Sequence, residues 1–500
     1  MNNSSKQSTA STTPSRSGKA LIFVLLTMPM ILGIVGLVVD GSFIMYEYRE
    51  TQHAADAGAT AAALSYIQNE NAQIARQSAV DMVQQIHGLS GSNVTVNNPP
   101  LTGPFAGNAN YFEAEVNRSS DTFFMHLVSQ LSQRSVRSRS VAGVEDATVD
   151  SALVILDPNP PPITIAGLPI AIPSLPNHHL GGLEVLGLGR VRVNGAVIVN
   201  NDWSGYDEDG VYVGQRVGLG LRHASTCTPI LPLTKLRARD IYVVGGVDNP
   251  NNYGHYDASE PSPLQANRRP VTDPLDHLPV PRVAVDPVNV DATNRGGVNI
   301  INLPILAPPV VLNPGVYEYI NIVTGPVRFN PGVYIIRGKH PLTQISLLIG
   351  AGPVNMNGVM FYITDNSSFT PATGLPDINE DSSSSPPIPL LSMLPSVVIN
   401  GAILNTVLRP LSSPGSPYNG VSLYQSRNDR RPIVLVSEQL LGTGALNGTI
   451  YAKWGNVIFV ANGEHDMGIV AASCRIVTAL GCELSPTQLF EPVREVYLVE

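Results

Sequence analysis

Clustered acidic side chains are the first feature of this sequence that could do chemistry. The segment "DWSGYDEDG" (202–210) supplies the carboxylates of Asp202, Asp207, Glu208 and Asp209. Carboxylate oxygens are ligands for calcium, and paired carboxylates act as acid and base in glycoside hydrolysis. The spacing does not follow the known calcium-loop pattern, so we interpret the segment as a solvated acidic loop.

No other stretch predicts a catalytic or metal site. His178 and His179 lie in a Pro-rich stretch without carboxylate partners, which indicates a surface pair. The sequence contains no Gly-x-Ser-x-Gly, no His-Glu-x-x-His and no phosphate-binding P-loop motif. We therefore predict a protein that is not an enzyme and that has no cofactor and no metal.

Three cysteines are present, at Cys227, Cys474 and Cys482. The last two are close in sequence, and they could form a disulfide in an oxidising compartment. The alternative is that both are buried free thiols. The spacing of the three does not match a zinc or an iron–sulfur site.

The composition indicates an exported, mainly β protein. Charged residues make up 14% of the 500 residues, well below the usual value of about a quarter. Gly and Pro are frequent, with 44 and 42 copies, and Val and Ile are abundant. The net charge of −9 and the lack of a basic, aromatic-studded patch argue against a nucleic-acid partner.

A membrane anchor is predicted at residues 20–39, "ALIFVLLTMPMILGIVGLVV". Twenty residues at a rise of about 1.5 Å cross a hydrocarbon core of about 30 Å. Thirteen of them are Leu, Ile, Phe or Val, which together favour insertion by about 4 to 8 kcal/mol. The run ends in Val38-Val39-Asp40, a poor cleavage site, so an uncleaved anchor is favoured over a signal peptide.

Flanking charges predict the orientation of this anchor. Lys6, Arg16 and Lys19 precede the span, and the next basic residue after it is Arg49. The positive-inside rule then places residues 1–19 in the cytoplasm, as a disordered tail, and the rest of the chain outside. We expect a single-pass protein of the cytoplasmic membrane, with membrane lipid as a partner and its body outside the cytoplasm or at the cell surface.

The helix is predicted to continue beyond the membrane to about residue 68. Its alanine-rich part offers a small-residue face that includes Ala55, Ala59 and Ala62. Small faces let helices approach closely. They could pack on the chain's own following domain or on another subunit, and we take the second use as the assembly hypothesis.

A small α+β domain is predicted to follow, over residues 40–145. A second helix covers residues 71–87 and stops at Gly88. Alternation of apolar and polar residues predicts strands in "NVTV" (93–96), "NYFEAEVN" (110–117) and "SVRSRSVAGV" (135–144). Between the last two strands, "SSDTFFMHLVSQL" predicts a helix capped by Ser119, Ser120 or Asp121.

Residues 18–145 resemble the N-terminal region of TadE/TadG-like proteins of the tight-adherence (Flp pilus) system. The resemblance rests on "ALIFVLLTMPMILGIVGLVVD", "ETQHAADAGATAAAL" and "DTFFMHLV" followed by "SVRSRSVAGV", in this order. It implies a pilin-like protruding helix and pilus-assembly or pilin-like subunits as partners. Counting from Gly18, the glutamate of pilin-type precursors would fall on Phe23, so the sequence is more similar to uncleaved TadG-like members. Asp157 lies where some relatives have an Asp-x-Ser-x-Ser metal site, but it lacks the serines.

The body, residues 146–500, is predicted to be a right-handed parallel β-helix. "LNPGVYEYINI" (312–322) and "FNPGVYIIRG" (329–338) place turn glycines seventeen residues apart. Phrases such as "VNGAVIVN" (193–200) and "LNGTIYA" (446–452) repeat the pattern of a short strand after a glycine turn. We expect successive coils to stack in order, with Val316 near Val333 in parallel neighbouring strands. The alternative is a β-sandwich.

Two stretches, near 247–290 and 365–396, break this pattern and are predicted to be flexible insertions. Taken together, the sequence predicts a membrane-anchored, non-enzymatic component of a tight-adherence pilus system that contributes to pilus assembly or surface adhesion. A surface glycan or receptor is a further predicted partner of the body. The competing class is an anchored β-helix protein that binds or cleaves carbohydrate.

Overall fold

A computed structural model describes residues 17–125, 133–161, 181–216, 224–228, 235–374, 386–387, 394–402, 405–439 and 444–500. The chain divides into two compact units. The first unit contains residues 1–147 and 494–500, and the second contains residues 148–493. Residues 1–16, most of the predicted cytoplasmic tail, lie outside the described residues.

The first unit combines two helices with a four-stranded sheet in the order β1-β2-β3-β29. Its elements are α1 (Ser17–Asn69), α2 (Ala72–Asp81), a π-helical turn (Met82–Ile86), β1 (Asn93–Asn97), β2 (Tyr111–Asp121), β3 (Gln133–Asp146) and β29 (Arg494–Leu498).

One helix, α1, carries the chain from the apolar segment into this unit without a break, as predicted. Pro29 is the single proline inside it, and the alanines from position 54 onward are the strongest helix formers. The helix ends at Asn69, and Glu70 takes a left-handed backbone conformation with φ of 49°. Asn71 then caps α2, since its Oδ1 accepts from the amide of Gln73 at 2.9 Å.

The sheet of the first unit is antiparallel throughout. Strands β1, β2 and β3 contain the three segments that were predicted as strands. The predicted cap at Ser119, Ser120 or Asp121 was wrong, because β2 continues through Asp121, which pairs with Gln133. The helix predicted after it falls largely on residues 126–132, which lie outside the described residues.

Residues 494–500 were predicted to belong to the body, and this was wrong. Strand β29 adds to the sheet of the first unit, with Val496 opposite Val144. The carbonyl oxygen of Glu500 accepts from the amide of Val141 at 2.9 Å. The backbone hydrogen bonds of this edge strand therefore hold it to the first unit.

The second unit is almost entirely β. Its strands are β4 (Ser151–Ile155), β5 (Leu183–Gly187), β6 (Val191–Val199), β7 (Gly205–Tyr206), β8 (Tyr212–Val213), β9 (Thr226–Cys227), β10 (Leu236–Val243), β11 (Tyr253–His255), β12 (Leu264–Gln265), β13 (Asn294–Ile300), β14 (Val310–Leu312), β15 (Gly315–Thr324), β16 (Val327–Phe329), β17 (Gly332–Ile336), β18 (Leu347–Ala351), β19 (Val354–Met356), β20 (Val359–Ile363), β21 (Val397–Asn400), β22 (Thr406–Leu408), β23 (Val421–Gln425), β24 (Ile433–Glu438), β25 (Gly444–Leu446), β26 (Gly448–His465), β27 (Met467–Thr478) and β28 (Cys482–Leu484). A short 3₁₀ turn covers Pro250–Asn252.

Parallel pairing between strands three apart in the chain organises much of this unit. One column runs β16-β19-β22-β25, a second contains β17, β20 and β23, and a third contains β18, β21 and β24. The two strands that begin at the glycines of the Asn-Pro-Gly-Val-Tyr phrases, β15 and β17, are parallel neighbours, as predicted. Val316 pairs with Ile335, two residues beyond the predicted Val333. Such parallel pairing differs from the antiparallel sheets of a β-sandwich.

The strands do not stack in chain order, which corrects the expectation of simple succession. Strand β27 pairs in parallel with β26 on one side and with β4 and β5 on the other. Strand β6 then pairs with β10. The first strands of the unit thus stack on its last ones, while β13 and β15 begin the stack at the opposite end.

A long connection must therefore run back from β12 to β13, and residues 266–293 do this. We call them the return segment. Residues of the return segment bind successive strands of the stack. Near its start, Arg269 accepts from Tyr242 of β10, and Asp273 then accepts from Tyr451 of β26. Near its end, the carbonyl of Asn289 accepts from the amide of Val333 of β17. Leu278, Val280 and Val290 of the segment are buried.

The prediction of a flexible insertion at 247–290 was consequently wrong. Strands β11 and β12 pair with β10, and Arg427 holds the return segment. Its guanidinium donates to the carbonyls of Leu275, Asp276 and Leu278, each at 2.9 Å, and to the hydroxyl of Tyr451 at 2.8 Å. Within the second predicted insertion, Phe369 is buried, and residues 375–385 and 388–393 lie outside the described residues.

Replacing Arg427 by Ala should lower the stability of the second unit by about 2 to 4 kcal/mol, because three carbonyls of the return segment, of which that of Leu278 is buried, lose their donor. The measurement is thermal unfolding of the detergent-solubilised chain. Arg328→Ala is the matched control, since Arg328 is exposed on β16. Equal melting temperatures for the two variants would contradict this role of Arg427.

Candidate membrane-anchoring and assembly site

The N-terminal part of α1 presents its apolar side chains outward. The helix is long and apolar enough to cross a membrane, with a mean hydropathy of 2.7 over its most apolar window. Leu21, Phe23 and Leu26 are each about 70% exposed. Such a surface is unfavourable in water and favourable in lipid, so the first half of α1 is suited to membrane anchoring.

A buried carboxylate marks the end of this apolar part. Asp40 is only 1% exposed. Its Oδ1 accepts from the amide of Phe123 at 3.1 Å, and its Oδ2 accepts from the amides of Phe124 at 2.8 Å and Met125 at 2.5 Å. Hydrogen bonds to a charged acceptor are stronger than neutral ones, so Asp40 ties the end of β2 to α1.

Aromatic contacts accompany these hydrogen bonds. Phe123 meets Phe43 of α1 edge-to-face, with ring centroids 5.9 Å apart. A Cβ atom added to Gly36 would lie 2.5 Å from the Cβ of Phe124. The glycine therefore lets the phenylalanine approach the backbone of α1 one turn before Asp40.

Polar contacts continue this attachment along α1. The hydroxyls of Thr51 and Ser138 are 2.8 Å apart, and both residues are buried. Glu47 pairs with Arg118 of β2 at 3.0 Å. The part of α1 that follows the apolar segment is thus the central helix of the first unit.

The alanine face lies inside this unit, which corrects the assembly hypothesis. Ala55, Ala59 and Ala62 have no exposed surface. Ala59 and Ala62 pack with a cluster that includes Phe112, and Ala55 packs with a cluster that includes Val116. Of the two uses considered for this face, the structure shows the intramolecular one.

The acidic loop residues are used locally. Asp207 accepts from the amides of Asp209 and Val211 and so closes a turn. Glu208 accepts from the amide of Ala266 at 3.0 Å. Asp202 is buried, and this burial raises its pKa although Arg216 lies 3.5 Å away. No group of three or more His, Cys, Asp and Glu residues that could hold a metal occurs in the part of the chain that the structure describes.

The remaining candidates also have structural surroundings or lie outside the described residues. Asp157 forms a buried ion pair with Arg430 at 3.1 Å. His178 and His179 lie outside the described residues. Of the two states that the sequence left open for Cys474 and Cys482, the structure has the buried free thiols. Burial raises the pKa of the Cys482 thiol to about 12, which keeps it protonated and unreactive at neutral pH.

The binding role of Asp40 was not predicted from the sequence, where this residue only marks the end of the apolar run. One sequence signal points to this role, which is that Asp40 is the only charged residue between Lys19 and Glu47. An acidic residue so close to a membrane needs hydrogen-bond partners. Its partners could not be foreseen, because they lie 83 to 85 residues further along the chain.

Comparison with known protein families gives one match. Residues 18–65 match the family described as putative Flp pilus-assembly TadE/G-like, in agreement with the resemblance found from the sequence. The matched residues include the apolar segment, Asp40 and the alanine face. Comparisons with curated proteins and with solved structures give no match to this chain.

Replacing Asp40 by Ala should weaken the attachment of residues 123–125 by about 1 to 2 kcal/mol, comparable to the loss of a helix-capping carboxylate, because three amides lose their shared acceptor. Amide hydrogen exchange at these three residues should become roughly five- to thirtyfold faster. Asp209→Ala, which removes an exposed carboxylate, is the control and should leave this exchange unchanged. Unaltered exchange in Asp40→Ala would show that other contacts hold the segment.

Replacing Ala59 by Leu should destabilise the first unit by about 1 to 3 kcal/mol, because the buried site has no room for a larger side chain. Hydrogen exchange in β2 and β3 should become faster as a result. Ala57→Leu makes the same change at a partly exposed position and should have little effect. If the two variants behave alike, the alanine face is not closely packed.

Proposed function

We propose that this chain is a single-pass membrane-anchored component of a tight-adherence, Flp-type pilus system. The observation that carries the proposal is the family match over residues 18–65, on a helix that is long and apolar enough to span a membrane. The charges at Lys6, Arg16 and Lys19 support a cytoplasmic N-terminus. In this orientation both units lie on the outer side of the inner membrane or at the cell surface.

We infer that the first unit is pilin-like in its architecture. Its support is the arrangement of α1, whose apolar half is exposed and whose second half packs on an antiparallel sheet. The proposed partners are other pilus-assembly or pilin-like subunits and membrane lipid. Because the alanine face is covered by the chain itself, these subunits would meet other parts of the first unit.

We further infer that the second unit is a right-handed parallel β-helix. Parallel pairing between strands three apart supports repeating turns of three strands. Crossover connections between parallel strands are right-handed in about 98% of cases. A long, rigid stack of this kind is suited to display outside the cell, where it could contact a surface glycan or receptor.

The proposed role is non-catalytic. In its support, Asp207 and Glu208 of the acidic loop are engaged in a turn and an ion pair, and Asp157 is paired with Arg430. Pilus assembly or surface adhesion requires only anchoring and binding. The alternative, a carbohydrate-active enzyme, would instead need a groove with convergent carboxylates.

Cysteine labelling in spheroplasts tests the topology. Ser5→Cys and Ser259→Cys place single reactive thiols before the span and on an exposed part of the second unit, while the native Cys474 and Cys482 are buried. A membrane-impermeant maleimide should label position 259 in intact spheroplasts and position 5 only after lysis. The reverse pattern would contradict the orientation.

Complementation tests the pilus role. A strain that lacks this protein should lose its pili and its surface attachment, and the full chain should restore both. A variant that starts after residue 39 should not, because it lacks the proposed anchor. Normal pili and attachment in the deletion strain would refute the proposed function.

A further inference from the structure

The segment Thr122–Met125, which we call the tip segment, leaves β2 at the end of the sheet that lies beside Asp40. It presents two adjacent aromatic side chains. Phe123 is 59% exposed and Phe124 is 43% exposed. Two neighbouring phenylalanines with this much exposed surface are unfavourable in water and are suited to contact with an apolar phase.

The positions of these rings along α1 indicate which apolar phase they meet. Phe123 contacts Phe43, four residues beyond the end of the span, and Phe124 lies deeper. Phe124 lies against Gly36, and Gly36 belongs to the apolar span that ends at Val39. At a rise of about 1.5 Å per residue, Gly36 lies about 5 Å below the end of the span. A ring packed on Gly36 is therefore at the level of the lipid, beside the helix that crosses it.

Backbone polarity usually prevents a non-helical segment from entering this region, because unpaired amides are costly in lipid. Here the amides of Phe123, Phe124 and Met125 all donate to the Asp40 carboxylate. The carboxylate is in turn shielded, with 1% of its surface exposed. The tip segment thus exposes its apolar rings, while its three amide donors are bound to Asp40 on the side that faces α1.

We propose that the tip segment is a second membrane-contacting element of this protein. Phe123 and Phe124 insert into the outer interface of the bilayer next to the span, and Asp40 holds them there. Aromatic side chains are enriched at this level of membrane proteins. The inference rests on the proposed anchoring by residues 20–39, and it adds that the first unit is held to lipid at two points rather than one.

The experiment measures the depth of single fluorophores in the full-length chain reconstituted into phosphatidylcholine vesicles. NBD is attached to a cysteine at Phe123→Cys, at Ile31→Cys near the middle of the span, or at Leu101→Cys. Leu101 is 70% exposed, and its amide donates to Glu113 near the start of β2, whereas the tip segment follows the end of that strand. Quenching is compared between lipids that carry a nitroxide at a shallow or at a deep position of the acyl chain.

We expect the shallow nitroxide to quench the label at position 123 more than the deep one does. The deep nitroxide should quench the label at position 31, and neither should quench the label at position 101. Adding Asp40→Ala to Phe123→Cys should reduce the shallow quenching, since the tip segment is then no longer held beside the span.

Quenching at position 31 without quenching at position 123 would overturn the inference and leave the anchor intact. Absence of quenching at position 31 would overturn the anchor and the inference with it. Disulfide formation between two copies of unlabelled Phe123→Cys in oxidised vesicles, with no lipid quenching of the NBD-labelled variant, would show that a second copy of this chain covers the rings instead.

Discussion

The carboxylate of Asp40 accepts hydrogen bonds from three consecutive backbone amides at the end of β2. This interaction joins the apolar half of α1 to the folded half of the first unit. On one side of Asp40, the side chains of the helix are exposed and suited to lipid. On the other side, one face of the helix is covered by the sheet of the same unit, through Thr51 and Ser138 and through the buried alanines, while Met45, Tyr46 and Tyr48 stay exposed. A continuous helix can therefore serve both environments, because its contacts with the sheet follow directly on its apolar segment.

The second unit depends on a different constraint, which is the order of its stack. Strands β4 and β5 pair with β27 rather than with β13. A connection along the stack is therefore needed between β12 and β13, which lie at its opposite ends. The return segment makes this connection, and it accepts hydrogen bonds from the hydroxyls of Tyr424 and Tyr451. Arg427 lies over both rings, 5.6 and 5.4 Å from their centroids, and binds the segment with its remaining donors. A Pro-rich stretch without regular structure is thus an integral part of the fold.

Local patterns predicted the elements well where neighbouring residues determine them. The apolar run and the alanines predicted α1, alternation predicted β1 to β3, and the Asn-Pro-Gly-Val-Tyr phrases predicted parallel neighbours. Features that depend on distant residues could not be predicted. The partners of Asp40, the strand β29 that joins the first unit from the end of the sequence, and the return segment all belong to this group. The sequence left open whether Ala59 packs on the chain's own sheet or on another subunit.

The central claim is that α1 passes unbroken from the bilayer into a unit that covers its alanine face. An electron cryo-microscopy structure of the full-length chain in a lipid nanodisc tests it most directly. The account predicts continuous helical density through Asp40, a nanodisc boundary at the level of residues 36–40, and the strands of the same chain packed on Ala55, Ala59 and Ala62. A helix broken at Asp40, or an alanine face packed against a second copy, would contradict it.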